Sequence, residues 1–288
     1  MNFKICIPTY HREDKLRELL STIPENINVL ISDNGSTVGK DICDLYENIT
    51  VKKVLPEVTM FQNWNQAGFM ADSEWLVIPS DDDMIEKGMK TYGKNADMLV
   101  FGHHIVDGEG EIISTWTPTK LETCAAPKGF KYFQYGVEAR MPSIIIRTSL
   151  FKELGGFCED FKLTASDSDL IQRLSLVGNV QFIPEVVSGY RVWDGGATSL
   201  TIASKNWMDE IDYWCNRIDK FCQQQGIKDV YSNHIQDEIY ARNLSGGLSS
   251  LKKNKGYSET WKHFRQCRFP SHATLKTKMH LIYALCRP

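Results

Sequence analysis

Several signatures that would settle the chemistry at once are missing from this chain of 288 residues. The eight cysteines, at positions 6, 43, 124, 158, 215, 222, 267 and 286, form no C-x-x-C pair and have no histidines at zinc spacing, which argues against a structural zinc site. They read as reduced, mostly buried thiols of a cytoplasmic protein. Three N-x-S/T sequons, Asn34-Gly35-Ser36 among them, then carry no meaning as glycan acceptors. No window approaches 18 consecutive apolar residues, so no membrane-spanning helix is expected. The opening MNFKICIPTY runs straight into a strand-like segment and lacks the layout of a secretory signal. A dinucleotide fold needs G-x-G-x-x-G after its first strand, and the stretch there, IPTYHRED, has no glycine. GSTVGKD (35–41) imitates a P-loop but is one residue short and ends in Asp41 where Ser or Thr should sit. Any phosphate bound here must be neutralised by something other than a glycine-rich backbone.

What is present is an ordinary globular composition, 42% hydrophobic and 24% charged, with an uneven charge distribution. Residues 1–200 carry 19 Lys and Arg against 28 Asp and Glu, whereas residues 201–288 carry 14 against 8. From Arg242 onward there are ten basic residues and one acid, Glu259. A tail of that kind is expected to face an anionic surface. No nucleic-acid module accompanies it, so two readings stay open, peripheral contact with an anionic membrane or packing in an oligomer, and nucleic acid is not expected.

Strand-like runs at 3–8, 28–32, 51–55, 75–79, 97–101 and 143–147 alternate with amphipathic stretches. In the first of these, Leu16, Leu19 and Leu20 share one helical face and Pro24 is the stop. In the second, Met60, Trp64, Ala67 and Met70 or Ala71 recur at helical spacing. The alternation predicts an α/β fold with a mixed, mostly parallel sheet flanked by helices, over residues 1–200. Residues 201–288 are expected to form a helical extension, basic from 242. One stripe there joins Trp207, Ile211, Trp214, Ile218 and Phe221, and another joins Leu275, Met279, Ile282 and Leu285. Ligands of such sheets gather at the carboxyl ends of strands. Asp33 and the run Asp81-Asp82-Asp83 sit at two of those ends. The acid run reads either as a solvated turn or as a divalent-cation site, because hard cations prefer several carboxylate oxygens. His103 and His104 are adjacent on a strand and point to opposite faces, so they read as a sheet-edge pair and not a metal site.

Four stretches in order, CIPTYHRED, VLISDNGST, NWNQAGFMADSEWLVIPSDDDM and LGGFCEDFKLTASDSDLIQRLSLVGNV, resemble the inverting family 2 glycosyltransferases of the GT-A fold. The resemblance covers roughly residues 3–195. It implies a donor site for a nucleotide-diphospho-sugar, a UDP-sugar first, with Pro8, Thr9, Tyr10 and Arg12 at the nucleotide. It also implies Asp33 and Asn34 at the base, Asp81 near the ribose, and Mg²⁺ or Mn²⁺ on Asp82 with Asp83 as second ligand or orienter. Asp167 aligns with the base that takes the acceptor's proton. Gly155 and Gly156 would form a loop near the sugar, Arg191 would reach the diphosphate and Trp193 would stack on acceptor sugar. The chain departs from the family pattern at Asn34, Ser80 and Ser166, each of which stands where an acid is usual. The implied acceptor is a saccharide or lipid-linked saccharide of cell-surface polysaccharide biosynthesis, met at the inner face of the plasma membrane. Two alternatives stay open: a degenerate GT-A module that only binds saccharide, and a sugar-phosphate nucleotidyltransferase.

Overall fold

The computed structural model describes residues 2–45, 47–86, 95–193 and 204–286. Its first half runs β1 (Phe3–Thr9), α1 (Glu13–Thr22), β2 (Asn28–Asn34), α2 (Lys40–Leu45), β3 (Ile49–Val54), α3 (Met60–Phe69), β4 (Trp75–Val77) and β5 (Met84–Ile85). It continues through β6 (Met98–Val106), β7 (Ile112–Trp116), β8 (Glu122–Cys124), β9 (Ile144–Arg147), α4 (Thr148–Glu153), α5 (Ser166–Val177) and β10 (Val180–Arg191). Three helices follow: α6 (Lys205–Gln224), α7 (Asn233–Phe264) and α8 (Leu275–Cys286). The strands form one sheet ordered β3-β2-β1-β4-β9-β6-β10-β5, with β7 paired to β6 and β8 to β10. β3, β2, β1, β4, β6 and β10 share one direction, so the sheet is mixed and mostly parallel.

The chain divides into two compact units. The first comprises Met1–Phe130, Glu138–Lys162 and Leu174–Trp193; the second comprises Lys131–Val137, Leu163–Arg173 and Asp194–Pro288. In the first, Ile5, Ile7, Leu16, Leu19, Ile31, Val77, Leu99 and Phe101 are wholly buried in one cluster. Each such side chain contributes roughly 1.5–3 kcal/mol by leaving water. α1 buries Leu16, Leu19 and Leu20, as its spacing predicts, and stops before Pro24. β3, at one end of the order, keeps Lys52 and Lys53 exposed, which discourages pairing with another chain. In the second unit α6 buries Trp207, Ile211, Trp214 and Ile218 of the expected stripe, while Phe221 is only partly buried.

Several details differ from expectation for identifiable reasons. β10 is not anticipated, because Pro184, Glu185, Ser188 and Gly189 interrupt its apolar run and its pairing with β6 shifts register twice. α3 turns Phe61, Asn63, Asn65, Ala67 and Gly68 inward and leaves Met60 exposed. Gly68 permits this close approach, since a Cβ there would lie 2.5 Å from the ring of Phe151. His103 and His104 do face opposite ways, but β6 is bonded to β9, β10 and β7, so they are not an edge pair. α7 falls within the expected helical extension, but no stripe marks it as a helix of its own. Gly246, Gly247 and Gly256 blur its pattern, and Gly256 (φ 79°) kinks it.

Candidate functional site

The parallel pairing of β1 with β2 sets Thr9 opposite Asp33, so the ends of IPTY and of SDN lie side by side. The residues after each end adopt left-handed backbone without being glycine: His11 at φ 53° and Ser36 at φ 58°. Ala165, immediately before α5, does the same at φ 65°. Such conformations cost about 1–3 kcal/mol each and cluster where function fixes the backbone. Only one further case, Asp229, occurs among the described residues.

Thr9 and Arg12 bind the acid run directly. The Thr9 hydroxyl donates to Asp81 Oδ2 at 2.7 Å. Arg12 lies between two carboxylates, with Nη2 2.5 Å from Asp81 Oδ1 and Nη1 donating to Asp82 Oδ2 at 2.9 Å. Asp81 Oδ1 is buried and is met by that ion pair without a hydrogen bond. Asp82 Oδ2 also accepts from the Trp193 indole N–H at 3.0 Å. Asp83 differs: its oxygens accept from backbone, Oδ2 from the Ser80 N–H at 2.8 Å and Oδ1 from the Arg191 N–H at 3.4 Å. Burial pushes the Asp81 carboxyl up to about 6 against the pull of Arg12. Burial, then the charge of Asp82, pushes Asp83 well above the ordinary carboxylate value.

Arg191 is held close to these acids without neutralising them. Its guanidinium donates to the Asp82 carbonyl at 2.8 Å and the Gly108 carbonyl at 2.5 Å, and pairs with Glu18 at 2.9 Å. Asp33 spends both carboxylate oxygens on the backbone N–H groups of Thr37 and Val38, at 3.1 and 3.0 Å. Asn34 exchanges two hydrogen bonds with the backbone of Val58, at 2.9 and 3.0 Å. Tyr10 is half exposed, and its hydroxyl donates to Glu57 at 3.0 Å. Pro8 stands in β1 opposite Ser32.

Two residues of this region escaped the sequence reading. Asn63 accepts from the Ser32 hydroxyl at 2.7 Å and donates to the Thr9 carbonyl at 3.1 Å, tying the ends of β1 and β2 together. Asn65 accepts from the Phe157 N–H at 2.8 Å and donates to its carbonyl at 2.9 Å. It thereby clamps the loop of Gly155 and Gly156, both at positive φ. Two amides buried beside Phe61 and Ala67 were the available signal.

The structure thus brings Thr9, Arg12, Asp81, Asp82, Asp83, Arg191 and Trp193 into one cluster of the first unit. Asp167 lies in the second unit, at the start of α5, where its Oδ1 accepts from the Ser168 N–H at 2.7 Å. Two residues on, Asp169 is wholly buried between Arg173 and Arg217, at 2.8 and 3.0 Å. The remainder of the segment 190–200 after Trp193 lies outside the described residues.

No family model matches the chain, and no curated protein matches it. Solved structures do. Residues 1–349 of S. aureus TarS superpose with a TM-score of 0.60 at 15% identity, covering 99% of this chain and 81% of that one. The same fragment in complex with UDP-GlcNAc gives 0.60 at 17%, covering 99% and 80%. The mannosyltransferase PcManGT from Pyrobaculum calidifontis, solved with GDP-Man and Mn²⁺, gives 0.53 at 12%, covering 98% and 85%. The fold is GT-A. This chain spans about half of the longer S. aureus TarS structure, 52% of its length. In a GT-A sheet, as in any open α/β sheet, the carboxyl ends of the parallel strands are where ligands bind, and the acid cluster occupies such an end.

Proposed function

We propose that this chain is a metal-dependent, inverting glycosyltransferase that moves a sugar from a nucleotide-diphospho-sugar to a saccharide or lipid-linked saccharide acceptor. The observation that carries the reading is electrostatic: three buried carboxylates, Asp81, Asp82 and Asp83, meet a single guanidinium, that of Arg12. Two of them are pushed towards the protonated form. A site short of positive charge fits a cation that arrives with its substrate.

Among the described residues no three His, Cys, Asp or Glu side chains form a ready cage for a metal. Mg²⁺ and Mn²⁺ bound with a diphosphate need only one or two protein carboxylates, so the residues present fit. Asp82 would hold the ion; Asp81 Oδ1, which is ion-paired with Arg12 but accepts no hydrogen bond, lies on the same turn, and Asp83 orients that turn through backbone N–H groups. When bound, the ion supplies Lewis-acid stabilisation of the departing diphosphate. Thr9 and Arg12 fix the carboxylates, and Tyr10 offers an exposed ring for the nucleotide. Asp33 and Asn34 shape the base-side loop through the backbone of Thr37, Val38 and Val58. Asp167 accepts the proton of the acceptor hydroxyl as its oxygen bonds to the anomeric carbon and the bond to the diphosphate breaks. The TarS complex with UDP-GlcNAc and the PcManGT complex with GDP-Man and Mn²⁺ support a donor of this class. The UDP-sugars are the first to try.

Thermal shift with a panel of nucleotide-sugars, with and without Mn²⁺, tests the reading. One nucleotide class is expected to raise the melting temperature only when Mn²⁺ is present. The gain is about 2.7 kcal/mol at a hundredfold excess over Kd. Asp82→Ala is expected to remove the metal-dependent part. No shift with any donor would overturn the proposal.

A further inference from the structure

α8 has two apolar faces. Thr277, Leu281, Ala284 and Leu285 are buried against the rest of the second unit, chiefly α7, while Leu275, Met279, Ile282 and Tyr283 are 74%, 61%, 56% and 55% exposed. At 100° per residue the exposed four fall within an arc of about 100°, on the side opposite the buried set. The expected stripe therefore splits: Leu285 turns inward and its other members turn out. Lys276 and His280 border one side of the exposed arc; Lys278 borders the other, with its ammonium donating to the Ser271 carbonyl at 2.6 Å. Beside it, α7 and α8 enclose a groove of about 420 Å³ lined by Ser245, Ser249, Lys252, His280 and Tyr283.

Part of the tail's positive charge is already used within the fold. Arg242 pairs with Glu238, Arg268 with Asp212 and Asp237, and Lys252 donates to the Ala284 carbonyl at 2.6 Å. Those three charges serve the fold. Lys253, Lys255, Arg265 and Lys276 are exposed.

We infer that the outer face of α8 docks on an anionic phospholipid surface. The arc of Leu275, Met279, Ile282 and Tyr283 enters the headgroup–acyl boundary, and the flanking lysines meet lipid phosphates. Charge selects this occupant. A second copy of the chain would set these basic borders against each other, whereas an anionic bilayer complements them. A nucleic acid would meet the charges but would leave four large apolar side chains against a polyanion. The inference rests on α7 and α8 alone and stands whether or not the chain transfers sugar.

The test is flotation of the full chain with vesicles of phosphatidylcholine alone and with phosphatidylglycerol added. Binding is expected only to the anionic vesicles and should fall as salt rises. Met279→Asp/Ile282→Asp should lower binding at least tenfold, and Lys276→Glu by about tenfold. These side chains are exposed, so circular-dichroism melts should match the unsubstituted chain. Absence of vesicle binding, or binding unchanged in the Asp variant, would overturn the inference. So would a dimer in solution that Ile282→Asp dissociates, or tight oligonucleotide binding without vesicle binding.

Discussion

Buried acids occur in both units, and two pairs of them are treated in opposite ways. In the second unit Asp237 is met by Arg268 and by the backbone N–H of His272, and Glu238 by Thr274, Thr277 and Arg242. Burial works to raise both carboxyls, but these hydrogen bonds outweigh it and hold each below its ordinary value. In the first unit burial wins, and Asp81 and Asp83 are raised. Acids that serve only the fold come with their partners. Acids whose burial outweighs their partners carry a cost that the native state keeps, and such groups gather where a ligand completes them.

The sharpest version of the contrast lies within one turn of α5. Asp167→Asn is expected to lower transfer by ~10²–10⁴ while donor binding and melting temperature hold. Asp169→Asn removes the charge that faces Arg173 and Arg217, and should cost about 3–5 kcal/mol in urea denaturation. Near-normal turnover in the first variant would remove Asp167 from its role. Unchanged stability in the second would show that the buried pair is no different from a surface one.

A substitution in the acid run should reverse the sign. At pH 7.5 Asp81 is charged against a pKa of about 6, above its unfolded value, so its ionised form burdens the folded state. Asp81→Asn is expected to stabilise the chain by about 1–2 kcal/mol at that pH while weakening the metal-dependent donor shift. Destabilisation like that of Asp169→Asn would place Asp81 among the structural acids.

The parallel half of the fold was legible because β1, β2 and β4 are dense in apolar residues and α1 has a clean stripe ended by Pro24. β10 and α7 were not, because each interrupts its own period: β10 with a proline and two register shifts, α7 with three glycines. The acid run, Thr9 and Arg12 could be placed from their motifs, since strand ends converge in such a sheet. What the motifs could not show was the partner of each oxygen. Asp83 and Asp33 spend theirs on backbone N–H groups, Asp82 on Arg12 and Trp193, and Asp81 keeps one oxygen that meets Arg12 without a hydrogen bond. Asn63 and Asn65 stayed hidden because a polar residue on a helix reads as its wet face until the tertiary neighbours are known.

The same logic of missing partners applies to a base. His103 is wholly buried in β6, its ring 5.4 Å from that of Trp116, and neither ring nitrogen has a hydrogen-bond partner among the described residues. Burial, then the charges of Arg140 and His104, pushes it down to about 4. Between that value and 6.5 the unfolded chain binds a proton that the folded chain refuses. Stability is therefore full above pH 6.5 and falls as pH drops through the window, by about 1 kcal/mol at pH 6 and about 2 kcal/mol at pH 5. His103→Phe keeps the stacking and removes the titration. Its stability relative to the unsubstituted chain, read from urea denaturation at pH 5, 6 and 7.5, should rise by those amounts as pH falls. A difference that stays flat across the three would mean that His103 accepts its proton in place, and that burial alone does not decide its charge.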